Sequence, residues 1–98
     1  MNKKANPKIL IVTTPIDEEP ISSYPPIGSL AIVTSLRRAG FDNTNFYNID
    51  LLRPNYDETI DHILQEKPDI LGISAVVSTA YEYTKKLSLD IKTLLPDT

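Results

Sequence analysis

Lys8-Ile9-Leu10-Ile11-Val12-Thr13-Thr14 is an unbroken run of apolar and β-branched residues, closed by Pro15. A strand with one wet face alternates apolar and polar residues. A run that is apolar on both parities belongs to a strand covered on both faces. Such a strand lies inside a parallel sheet with helices above and below, so the rest of the chain should supply further strands and crossover helices.

It does. Asp69-Ile70-Leu71-Gly72-Ile73-Ser74 is a second buried-type run, and Asn45-Phe46-Tyr47-Asn48-Ile49 a shorter one with Asp50 at its carboxyl end. Residues 16–24 are acidic, contain a proline and read as loop. A helix is predicted over residues 26–39. Pro25 and Pro26 suit its first turn, where a missing N–H is harmless. Ile27, Leu30, Ala31 and Thr34 form its apolar stripe, widened by Val33 and Leu36. Arg37 and Arg38 favour the end of the helix dipole, and Gly40 supplies the stop.

Asn55 and Glu58 form a capping box for the next helix, whose stripe is Tyr56, Ile60, Ile63, Leu64 and Lys67, with Pro68 as terminator. Thr79 and Glu82 form another, opening a helix with core face Ala80, Tyr83, Leu87, Ile91 and Leu94 before Pro96. The order βαβαβα implies an α/β fold, a three-layer Rossmann-like or flavodoxin-like parallel sheet with strand order 2-1-3. The chain stops after a helix, where a fourth strand is due. Residues 1–98 therefore read as the N-terminal part of one domain, truncated before strand 4 and incomplete at the C-terminus. The bare edge of the third strand should promote self-association.

Composition narrows the function. The net charge is −3, and the basic residues are scattered rather than gathered into a nucleic-acid footprint. With no cysteine, disulfides, thiolate metal sites and cysteine nucleophiles are excluded within this stretch. The apolar run near the N-terminus is too short for a signal core, and none approaches the about 18 residues of a membrane helix. A cytoplasmic location is expected, with no membrane and no nucleic-acid partner.

In an open α/β sheet, ligands bind beyond the carboxyl ends of the strands. The third such loop, Ser74-Ala75-Val76-Val77-Ser78-Thr79, is small and rich in hydroxyls. The three glycines, Gly28, Gly40 and Gly72, are too far apart for a dinucleotide fingerprint, and no phosphate-binding loop is present. A phospho-receiver would need acidic residues where Thr13, Thr14 and Ser74 stand.

Pro25-Pro26-Ile27-Gly28-Ser29-Leu30-Ala31, then Leu36-Arg37-Arg38-Ala39-Gly40-Phe41, resembles the opening of cobalamin-binding domains that precede radical S-adenosylmethionine domains. Lys67-Pro68-Asp69-Ile70-Leu71-Gly72-Ile73-Ser74 is similar to their third strand, and the helix up to Pro96 to the one that follows. The likeness covers about residues 8–98, and it extends to enzymes described as anaerobic magnesium-protoporphyrin IX monomethyl ester cyclases. It implies a cobalamin-binding fragment of a methyltransferase or cyclase-like Fe–S oxidoreductase, non-catalytic by itself. The iron–sulfur cluster and S-adenosylmethionine would belong to a downstream barrel domain, the expected partner.

The family's D-x-H-x-x-G places Ser23 at its Asp position and Pro25 at its His position, so no histidine ligates the cobalt from below. Its S-x-L maps to Ser74, Ala75 and Val76. The resemblance and the loops together nominate Pro15, Tyr24, Pro25, Gly28, Ser74, Val76, Ser78 and Thr79 as cofactor-binding residues. No residue is nominated as catalytic or metal-ligating.

Simpler roles stand beside these. Gly28 would permit close helix–sheet packing, Ser74 would bond the backbone, Thr79 would cap a helix, and Val76 would be core. His62, the single histidine, falls opposite its helix's stripe and should face solvent. Asp17, Glu18 and Glu19 read as a solvated loop. The competing function is a degenerate interaction or small-ligand-binding module without corrin.

Overall fold

A computed structural model describes residues 6–15, 27–75 and 80–98. The described elements are β1 (Ile9–Thr13), α1 (Ile27–Arg38), β2 (Thr44–Asn48), α2 (Ile49–Leu52), α3 (Tyr56–Glu66), β3 (Ile70–Ser74) and α4 (Tyr81–Leu94). The three strands form one parallel sheet in the order β2-β1-β3. This is the α/β architecture and strand order expected from the βαβαβα pattern.

β1 is buried along its whole length, and its two parities feed two cores. Leu10 and Val12 pack with Tyr47, Ile49, Ile63, Leu87 and Ile91 on the side of α3 and α4. Ile9 and Ile11 pack with Val33, Leu36 and Phe46 on the side of α1. Each fully buried aliphatic side chain contributes about 1.5–3 kcal/mol, so this one strand anchors both layers.

Polar contacts set the strand ends. The Lys8 N–H donates to Asp69 Oδ2 at 2.8 Å, and the Lys8 carbonyl accepts from the Asp69 N–H at 2.7 Å. This reciprocal pair pins β3 against β1. Arg37 donates from Nε and Nη2 to the Thr44 carbonyl at 3.0 and 2.6 Å, tying the end of α1 to the start of β2. Gly40 takes φ +99° between them, a left-handed setting that favours glycine.

The helices follow their sequence signals in part. Asn55 and Glu58 make both capping-box bonds, Glu58 N–H to Asn55 Oδ1 at 2.8 Å and Asn55 N–H to Glu58 Oε1 at 3.2 Å. Leu87, Ile91 and Ala80 are buried as expected, but Leu94 is 50% exposed and Leu95 packs on the core instead. Lys67 is no part of the α3 stripe. It is the C-cap, in a left-handed setting at φ 46°. The capping role expected of Thr79 lies outside the described residues. The short helix α2 was not anticipated. Asn48 starts it by accepting the Leu51 N–H at 3.1 Å.

The larger correction is α1. Ile27 is 70% exposed, Leu30 45%, and Ala31 and Thr34 are also exposed, while Ser29 and Val33 are buried. This helix carries apolar residues around most of its circumference, so periodicity alone does not choose the inward face. The side turned toward β1 carries Val33 and Ser29, and Ser29 is bonded to Thr13.

Candidate functional site

The strand register puts Asn48, Thr13 and Ser74 in one row across the carboxyl edge of the sheet. Thr13 shares the parity of Ile9 and Ile11 and so faces α1. Thr13 is 3% exposed and Ser29 2%, and their hydroxyls share a hydrogen bond of 2.8 Å. Thr14 reaches toward β3 instead. Its N–H donates to the Ser74 carbonyl at 3.1 Å and its hydroxyl to the same oxygen at 3.2 Å. The carbonyl has two lone pairs and accepts both. The end of β1 is thereby tied to the first turn of α1 on one side and to the end of β3 on the other.

Gly28 precedes Ser29 in that first turn. It is exposed, and a Cβ built on it would meet no atom within 4 Å. Close helix–sheet packing is therefore not its role. Among the described residues, the space beside it is open. Pro15, half-buried, follows Thr14 at the same edge, and Ser74 is half-buried at the end of β3. At the end of β2, Asp50 is buried in α2 and Arg53 Nη2 reaches its Oδ1 at 2.8 Å, so this carboxylate is paired.

Of the nominated residues, Pro15 follows β1 and Ser74 ends β3 at the carboxyl edge, and Gly28 stands in the first turn of α1 beside the Ser29 that bonds Thr13. Tyr24, Pro25, Val76, Ser78 and Thr79 lie outside the described residues, as do Asp17, Glu18 and Glu19. Thr13, Thr14, Ser29 and Asn48 were missed. The signals were there: two threonines closing an apolar run, and a serine beside the glycine that opens a helix.

His62 departs from expectation. Its ring stacks on Tyr47, with centroids 3.9 Å apart and planes 12° apart, and it is half-buried. The helical wheel ignored β2, whose aromatic side chain reaches it. Tyr47 belongs to the core on the α3 and α4 side, across the sheet from Ser29. Among the described residues, no group of three His, Cys, Asp or Glu is placed to hold a metal ion. Nor is any helix there long and apolar enough to cross a membrane.

The fold is that of a flavodoxin-like α/β domain, an architecture in which ligands bind beyond the carboxyl ends of the strands. Residues 16–98 match the family described as the B12 binding domain, and the chain belongs to that family. Comparison with curated proteins and with solved structures gives no match.

Among the described residues, the fit to cobalamin rests on Gly28, where a built Cβ meets no described atom within 4 Å, and on Ser74, half-buried at the end of β3; Thr13, Thr14 and Asn48 already bond Ser29, Ser74 and Leu51. They do not offer an axial nitrogen. Pro25 occupies the family's histidine position, and the one histidine of the chain is stacked on Tyr47.

Proposed function

We propose that the chain binds cobalamin without a histidine beneath the cobalt, as the cofactor-holding part of a radical S-adenosylmethionine enzyme. The parent is a methyltransferase or cyclase-like Fe–S oxidoreductase, similar to the anaerobic magnesium-protoporphyrin IX monomethyl ester cyclases, and works in the cytoplasm. The observation that carries this reading is the family match over residues 16–98, a stretch that includes α1, β3 and the loops between strands and helices. Gly28, Ser74 and Pro15 are the described candidate contacts, and the family resemblance adds Tyr24, Pro25, Val76, Ser78 and Thr79 as candidates from the sequence.

When bound, cobalamin supplies the alkyl-carrying cobalt chemistry of the parent enzyme. The chain's own residues orient the ligand. Gly28 lets it approach the first turn of α1, and Ser74 offers a hydroxyl at the end of β3. The iron–sulfur cluster and S-adenosylmethionine sit in a downstream barrel, since this chain has no cysteine to hold a cluster.

Equilibrium dialysis of the chain against hydroxocobalamin tests the reading. Saturable one-to-one binding is expected, and His62→Ala should leave it unchanged. No saturable binding would favour a module that docks a protein or another small ligand. Loss of binding in His62→Ala would overturn the histidine-free arrangement.

A further inference from the structure

Among the described residues, the seam between β1 and α1 is apolar except at one point. Ile9, Ile11 and Val33 fill it, with Leu36 and Phe46 at its margin, and then the buried hydroxyls of Thr13 and Ser29 meet at its carboxyl end. Such a pair is not needed for stability. Replacing both partners by apolar groups of the same shape is close to neutral. What a hydrogen bond adds is direction, which hydrophobic contact lacks.

Direction matters here because α1 has no dominant apolar face. Ile27, Leu30 and Ile32 are exposed while Ser29 is buried. Turning the helix by one residue, about 100°, would bring Leu30 and Thr34 to the seam in one sense and Ile32 and Gly28 in the other, and either turn would move Gly28 from its present exposed setting. The Thr13–Ser29 bond opposes that turn. Its neighbour Thr14 fixes the other wall, with both its N–H and its hydroxyl on the Ser74 carbonyl.

We infer that Thr13 and Ser29 are positioning residues of the ligand crevice: their hydrogen bond sets the rotation of α1, and so the distance between Gly28 and Ser74. This rests on the cobalamin reading above. Neither side chain touches the ligand. Both act through Gly28 and the first turn of α1.

Thr13→Val, Ser29→Ala, the double variant and Thr13→Ser test it, by equilibrium dialysis with hydroxocobalamin under conditions where each chain is folded. Thr13→Val and Ser29→Ala should each weaken binding about tenfold, the equivalent of about 1.4 kcal/mol. The double variant should be no weaker than either single one, because one bond is lost in all three. Thr13→Ser, which keeps the hydroxyl, should bind like the unaltered chain. Unchanged affinity in Thr13→Val and Ser29→Ala, whatever happens to their unfolding midpoints, would overturn the inference.

Hydrogen exchange of the ligand-free chain separates this proposal from the one beneath it. The amides of residues 31–33 close on the carbonyls of residues 27–29. They should exchange about tenfold faster in Thr13→Val, with α3 and α4 unaffected. Equal rates in both chains, or faster exchange throughout, would sink the positioning role even if cobalamin binds. A local change in a chain that binds no cobalamin would uphold the positioning of α1 and remove the ligand.

Discussion

Gly72 is half-buried in β3 next to Ile11 of β1, and a Cβ on it would stand 2.7 Å from Ile11 Cδ1. The glycine of Lys67-Pro68-Asp69-Ile70-Leu71-Gly72-Ile73-Ser74 is therefore a packing residue. The aspartate of that motif is structural too, receiving the Lys8 N–H at the opposite end of the sheet from Ser74. Both residues were visible in the sequence as parts of a resemblance, but their partners were not. Gly72→Ala should change urea-unfolding stability by less than about 1 kcal/mol, since the end of the flexible Ile11 side chain must turn aside while alanine gains in a strand. Adding Ile11→Val removes the colliding methyl. The double variant should then be more stable than the sum of the single effects allows, a coupling expected of residues in contact.

Helices α3 and α4 meet through tyrosines rather than through aliphatic side chains alone. The Tyr56 hydroxyl donates to Asp90 Oδ2 at 2.6 Å, its ring meets Tyr83 edge-on at 5.9 Å, and Lys86 Nζ lies 4.2 Å from its centroid. Burial, then the hydrogen bond to Asp90, pushes the Tyr56 hydroxyl well above the usual tyrosine range. Burial raises Tyr83 as well. The folded state thus keeps these groups neutral where the unfolded chain would ionise them. Their stabilising contribution is whole below about pH 10 and is lost as pH rises through the native values. Urea midpoints should hold steady between about pH 7 and 9 and fall above about pH 10. Tyr56→Phe should flatten that alkaline fall. An unchanged slope in Tyr56→Phe would show that the titration lies elsewhere. At this scale the sequence was legible where signals are local. Asn55 and Glu58 cap α3 as read, whereas the inward face of α1 was misread because its apolar residues point several ways.

Across the whole molecule, the two outer strands differ. β2 is largely polar, Thr44-Asn45-Phe46-Tyr47-Asn48, while β3 is Ile70-Leu71-Gly72-Ile73-Ser74. Among the described residues no strand lies beyond β3, and Ile70 is 52% exposed. An apolar strand with unpaired N–H and C=O groups is a template for another strand. We expect the chain to self-associate through this edge, seen as a light-scattering mass that rises with concentration. Ile70→Lys should suppress it. A constant monomer mass at high concentration would contradict the expectation.

The parallel α/β arrangement and the order β2-β1-β3 could be read from consecutive residues, because strand burial, helix periodicity and caps are recorded within a few positions of each other. The rotation of α1, the stacking of His62 on Tyr47 and the clasp at the end of β1 could not. Thr13 and Ser29 are 16 positions apart, and Thr14 and Ser74 are 60 apart. Contacts over such separations depend on how the layers settle on one another. Several packings satisfy the same apolar pattern, so a pattern recorded within a few positions does not say which one forms.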